Sequence, residues 1–155
     1  NLNPIKEKMA EITNKKNLKW GLWDIISWAD VFIWVSQPWV LTKEMIKIMA
    51  KDPIVFAMAN PIPEIMPDEA KKAWVAIIWT WRSDFPNQVN NVLWFPWIFR
   101  WVLDAWFTQI TEEIKIVSAE AIANYVKNPT AEEVVPFAMD KWVSVAVADA
   151  IKKLK

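Results

Sequence analysis

Hydrophobic residues fall into short apolar runs separated by amphipathic stretches. The runs Val31 to Val35, Ile54 to Ala59 and Val75 to Ile78 are rich in branched side chains, recur at similar spacing and predict buried parallel strands. The stretches between them carry helix signals. Thr42 caps Lys43 to Ala50, and Pro67, Asp68 and Glu69 open a helix reaching about Ala73, with proline at its start and acids in its first turn. Strand and helix alternate, which predicts an α/β domain whose right-handed crossovers place helices on the sheet faces. Ile5 to Thr13 and Leu22 to Ser27 predict two further helices ahead of the first strand.

Beyond the third run the alternation stops. Asn87 to Asp104 reads as a long helix interrupted at Pro96, and Thr111 caps another in which Ile114, Val117, Ala121, Ile122 and Tyr125 share one face. Lys127 to Pro136 is a polar loop. In the last segment Val143, Val145 and Val147 alternate like a strand, whereas Val147, Ile151 and Leu154 are spaced like a helix ending in lysine, and helix is favoured.

Composition narrows the chemistry. The 155 residues are 54% hydrophobic and 23% charged, which suits one globular domain. No long uncharged apolar run exists, and Asn1 to Lys6 lacks the basic-then-apolar order of an export signal, so a soluble cytoplasmic protein with no membrane span is expected. Without Cys or His there are no thiolate nucleophiles, imidazole bases or nitrogen- and sulfur-ligated zinc sites. The formal net charge is zero and the basic residues lie scattered among acids, which leaves no field to steer nucleic acid.

One pair of counts is abnormal: Gly 1 and Trp 13. Together they come near the share of about 7% that glycine alone takes in an ordinary chain. Tryptophan also stands where chains punctuate themselves, after Pro38 (Trp39), at both ends of Ala29 to Ile33 (Trp28, Trp34) and around Thr80 (Trp79, Trp81). A bulky residue is a poor occupant of such places.

The informative stretches begin at the carboxyl ends of the expected strands, the edge where open α/β sheets bind ligands. They are Trp28 to Trp39, Phe56 to Ile65 and Thr80 to Arg100. Asn60 follows the second run directly, and Asn90 and Asn91 sit early in the helix expected after the third. Their amides offer donors and acceptors suited to a carboxylate, a hydroxyl or a nicotinamide carboxamide. Asp84 reads as a turn and helix-start residue rather than a metal ligand, and Arg82 and Arg100 as ion-pair or anion-facing groups. Ser36 has no histidine partner, so nucleophilic catalysis is not expected of it. Trp94, Trp97 and Trp101 have helical spacing and would ordinarily be core or a stacking platform.

These stretches resemble the C-terminal, dinucleotide-binding half of a malic enzyme, the family that oxidatively decarboxylates malate to pyruvate with NAD or NADP and Mg2+ or Mn2+. The resemblance covers nearly the whole chain. Its most specific part is Arg82-Ser-Asp-Phe-Pro-Asn-Gln-Val-Asn-Asn91, joined by Ala59-Asn-Pro61 and Pro63-Glu64. It implies a partial Rossmann-like parallel sheet with flanking helices and a helical C-terminal extension, spanning 1–155 as one partial dinucleotide-binding domain. It further implies that Asn60 lies at the nicotinamide and substrate, that Asn90 and Asn91 reach the malate, and that the cofactor passes over Val35 and Ser36. The family's general-base lysine, general-acid tyrosine, metal ligands and glycine-rich phosphate turn are expected upstream of residue 1, so no catalytic residue or metal ligand is assigned in this chain. Malate and pyruvate are the implied small-molecule partners, and a homo-oligomer the implied assembly. A malolactic enzyme of the same architecture is the near alternative. A tryptophan-rich module that stacks bases or sugars is a remote one, since it leaves the Asn-Pro and Asn-Asn motifs unexplained.

Trp28, Trp34, Trp39, Trp74, Trp81, Trp97 and Trp101 stand where the family typically has glycine. Glycine permits positive φ and lets a cofactor or backbone approach closely. If overpacking costs about 1–3 kcal/mol per site, those positions together cost roughly 7–21 kcal/mol against a typical stability of about 5–15 kcal/mol. Poor folding of the sequence as written is therefore expected. A gene using UGA for glycine, as some uncultivated bacteria do, but read with UGA as tryptophan, would produce this pattern. The excess of Lys over Arg suits an AT-rich genome, and the start beyond the phosphate turn suits a gene fragment.

Overall fold

The structure, a computed structural model, describes residues 3–17, 19, 21–95 and 97–155. Pro96, at which the sequence pattern breaks the expected long helix, lies outside them. Helix α1 (Pro4–Ile12) starts at Asn3, whose side chain accepts from the Lys6 N–H, and α2 (Leu22–Ile25) precedes the sheet. Three strands follow: β1 (Val31–Trp34), β2 (Ile54–Ala57) and β3 (Ile77–Thr80). Between them run α3 (Lys43–Lys47), capped by Thr42, and α4 (Pro67–Lys72), with proline in its first turn.

The sheet is parallel throughout, in the order β1-β2-β3. Trp34 pairs with Ala57 and Ala57 with Thr80, so all three strands end at one edge. Val55, Ala57, Phe32 and Ile78 point into a core completed by Ile26, Leu41, Ile46 and Ala70. The expectation of fully buried strands fails at β1: Phe32 is buried, but Val31 and Ile33 on the opposite face are exposed.

A second core lies among α5 (Trp97–Asp104), α6 (Glu112–Ala123) and α7 (Lys141–Lys152), built on Ile98, Val102, Ile114, Val143, Val147 and Ile151. Thr111 caps α6 by accepting from the Ile114 N–H, and Val117, Ala121, Ile122 and Tyr125 pack against this cluster as their spacing predicts. The final segment is helical.

Two further expectations are corrected. The third strand is 77–80 rather than Val75 to Ile78, because the Val75 N–H is taken by the Ala70 carbonyl in the cap that ends α4. The helix expected over Asn87 to Asp104 is instead an extended stretch, one 3-10 turn at Asn91–Leu93, and α5. The extended stretch pairs with the sheet, Val89 N–H donating to the Thr80 carbonyl, and Asn90 and Asn91 therefore stand at a 3-10 turn rather than in an α-helix.

Glu69 joins α3 to α4, bonding Lys43 at 2.6 Å and Lys72 at 2.7 Å. Those two hydrogen bonds hold its carboxyl at about 2, below its ordinary 4.5. Because the folded value is depressed, its contribution is complete above 4.5 and is lost as the pH falls toward 2. The melting difference between this chain and its Glu69→Gln variant should therefore shrink across that window and, for an exposed pair, shrink also with salt.

Candidate functional site

The loops leaving β1, β2 and β3 emerge side by side at the carboxyl edge of the sheet, on strands spaced about 4.8 Å apart. Val35 and Ser36 follow β1 and are exposed; Asn60, also exposed, lies three residues beyond the end of β2.

Glu64 ties the first two loops together. It is fully buried, and its carboxyl accepts the Ser36 N–H at 3.2 Å and the Ala59 N–H at 2.9 Å, one on each oxygen. Its own carbonyl accepts the Leu41 N–H, and that of Pro63 accepts the Trp39 N–H. One side chain thus fixes the backbone next to Ser36 and next to Asn60. The sequence shows Glu64 only as part of the Pro-Glu motif, with no local sign that it reaches a residue 28 positions away. Glu64→Ala should leave two inward-facing N–H groups unpaired, at about 1–3 kcal/mol each. A urea midpoint unchanged from that of the parent would show that the carboxyl does not hold the loops.

The loop after β3 is braced by structural contacts. Arg82 grips Asp84 through two bonds of 2.9 and 2.6 Å, which lowers the Asp84 carboxyl and raises the guanidinium. Arg100 pairs with Asp104 at 2.8 Å one turn along α5. Both arginines are therefore ion-pair residues, and Asp84 is occupied by its partner. Asn87, which the sequence did not single out, is buried and has φ of 55°. It donates to the Ala131 carbonyl at 2.8 Å and accepts the Val134 N–H at 2.9 Å, fastening the 130–134 loop beneath β3.

Asn90 and Asn91 differ in what they have left to offer. The Asn90 side chain accepts the Val92 N–H at 3.0 Å and so caps the 3-10 turn. The Asn91 side chain is exposed and, like that of Asn60, has no hydrogen-bond partner among the described residues. Asn90 and Asn91 border a groove of about 350 Å³ walled by Trp79, Trp94, Ile122 and Val134.

A dinucleotide and its substrate suit this edge: two unengaged amides and a strand-end hydroxyl present donors and acceptors outward. The Trp34 indole is at present bonded to the Ser36 hydroxyl. A metal ion does not fit the residues present. Among the described residues no three His, Cys, Asp or Glu side chains gather to hold one. The one tyrosine, Tyr125, donates its hydroxyl to Asp140 at 2.7 Å, which raises the phenol. Among the described residues no helix is long and apolar enough to cross a membrane.

Comparison with known proteins gives a consistent set of relatives. The bifunctional malic/malolactic enzyme of Bacillus subtilis is 53% identical over 154 residues, which is 98% of this chain and 38% of that protein. The NAD-dependent malic enzyme of Geobacillus stearothermophilus is 48% identical over 151 residues, 96% of this chain and 31% of that one. An NADP-dependent malic enzyme of Escherichia coli is 55% identical over 101 residues, 64% of this chain and 13% of the relative. Among solved structures, the NAD-dependent malic enzyme of Thermotoga maritima superposes with a TM-score of 0.92 at 40% identity, over 98% of this chain and 40% of its own. This chain spans well under half the length of these relatives. No family model matches it.

Proposed function

From a chain that matches one segment of the malic enzymes in sequence and in fold, we propose that it forms the dinucleotide-binding part of an enzyme oxidatively decarboxylating malate to pyruvate and CO2 with NAD or NADP. The observation that carries this reading is the placement of Ser36, Asn60 and Asn91 on loops at one sheet edge, with the Asn60 and Asn91 amides unengaged among the described residues. When bound, the dinucleotide would supply the acceptor for the hydride of a 2-hydroxy acid. What this chain supplies is orientation. Val35 and Ser36 form the ledge over which the cofactor lies, Asn60 hydrogen-bonds at the nicotinamide and substrate, and Asn91 holds the malate, with Asn90 setting the backbone of that turn.

Proton transfer and coordination of Mg2+ or Mn2+ belong, on this reading, to the part of the relatives that this chain does not span. The malolactic outcome stays beside the malic one because the Bacillus subtilis relative carries both names. The family resemblance further points to a cytoplasmic homo-oligomer. The exposed apolar residues Phe99 and Leu103 of α5 give such an assembly surface to bury. Calorimetric titration of the full-length protein with NAD and with NADP tests the reading: saturable binding of one or both supports it, and absence of binding to a folded protein refutes it.

A further inference from the structure

Among the described residues the non-glycine positions with left-handed backbone are Asn14, Asn17, Asp52, Asn87, Trp28, Trp39, Trp74 and Trp106. Asn and Asp visit this region readily because their short polar side chains bond locally. Tryptophan does not.

The surrounding hydrogen bonds show which residue each turn requires. At the end of α4 the Trp74 N–H donates to the Lys71 carbonyl and the Val75 N–H to that of Ala70. At the end of α5 the Trp106 N–H donates to Leu103 and the Phe107 N–H to Val102. Both are Schellman caps, with tryptophan in the left-handed position that glycine usually fills. The φ there is 72° at Trp74 and 59° at Trp106. Trp39, at 61°, follows Pro38 in a turn; Trp28, at 63°, turns the chain into β1. At Trp28, Trp74 and Trp106 the indole hangs in solvent, 82, 82 and 85% exposed, so packing returns little for the strained backbone.

A different group tells the same story from inside. The indole N–H groups of Trp79, Trp94 and Trp101 are buried with no hydrogen-bond partner among the described residues, although buried tryptophan N–H normally finds one. Conversely the single glycine, Gly21, needs none of glycine's freedom. Its φ is −76°, and an added Cβ would meet nothing nearer than the Asp24 carboxylate at 3.7 Å.

We infer that the organism making this protein inserts glycine at Trp28, Trp39, Trp74, Trp79, Trp94, Trp101 and Trp106, reading as glycine a codon that the written sequence renders as tryptophan. UGA is the codon of that behaviour, since its assignment differs among genetic codes while UGG means tryptophan. The inference stands on backbone geometry and unpaired indoles, so it holds or falls independently of the malate reading. Its consequence for the site is direct. Glycine at 79 and 94 opens the groove beside Asn90 and Asn91, and the left-handed turns before β1 and after Pro38 relax around the sheet edge.

Two measurements decide it. The coding DNA should carry UGA at these positions, and UGG at Trp28, Trp39, Trp74 and Trp106 would overturn the inference. Peptides of the protein taken from its source organism should show, by tandem mass spectrometry, a glycine residue at 74 and 106. Peptides with tryptophan at those two positions would overturn it even if the codon were UGA.

Discussion

The 155-residue chain alone is expected to give no malate-dependent reduction of NAD or NADP at any magnesium or manganese concentration. Oxidation of a 2-hydroxy acid followed by decarboxylation needs a base for the hydroxyl, an acid for the enolate and a cation to polarise the oxo group. This chain has no His or Cys, its one tyrosine is bonded to Asp140, and among the described residues no acidic cluster can hold a cation. Orientation alone supplies none of these transfers. Glycine at the left-handed positions should improve folding, with about 1–2 kcal/mol of left-handed strain relieved at each, and should still give no turnover. The assay is absorbance of the reduced nicotinamide at saturating malate. Steady turnover by the glycine-bearing chain alone would show that its catalytic groups have been misplaced.

In the full-length enzyme, Asn91→Ala should weaken use of malate more than binding of dinucleotide, and Asn60→Ala should affect both. Each amide is without a partner among the described residues, so its hydrogen bonds are available to a ligand. Losing a ligand-facing amide leaves a substrate group unpaired at about 1–3 kcal/mol, which is roughly a ten- to hundredfold fall in kcat/KM. Asn90→Ala differs in mechanism, because that side chain caps the 3-10 turn through the Val92 N–H and its loss displaces Asn91 as well. Steady-state kinetics with malate and dinucleotide varied separately distinguish the roles. Unchanged parameters in both the Asn60 and Asn91 variants would remove those residues from the site.

How much of this was legible in the sequence depended on how local the cause was. β1 and β2 announce themselves because runs of branched residues bounded by turn signals have few other uses, and Thr42 and Thr111 cap their helices as the pattern predicts. β3 was displaced because Val75 looks like strand sequence, yet its N–H closes the cap of α4. The stretch 87–90 has a helix-like pattern yet is not helical, because Asn87 is held by residues 44 and 47 positions away, which no local pattern reveals. The bond from Glu64 to Ser36 was hidden for the same reason.

The overpacking expected of the tryptophans also takes a different form. Trp28, Trp39 and Trp74 are exposed and Trp34, Trp81, Trp97 and Trp101 only half-buried, so none of them is forced wholly into the core. The penalty sits instead in left-handed backbone at the exposed positions and in the unpaired N–H of Trp101 inside.

The central claim is most directly tested by exchange. The Bacillus subtilis malic/malolactic enzyme matches this chain over 154 residues at 53% identity, so its matching segment can be replaced by this one carrying glycine at the seven inferred positions and at Trp34, Trp81 and Trp97. The chimera, supplied with malate, a divalent metal and NAD or NADP, should reduce the dinucleotide, with kcat/KM for malate falling roughly ten- to hundredfold in its Asn91→Ala variant. A chimera that folds and assembles like its parent yet gives no malate-dependent turnover would contradict the assignment of this chain as the dinucleotide-binding part of such an enzyme.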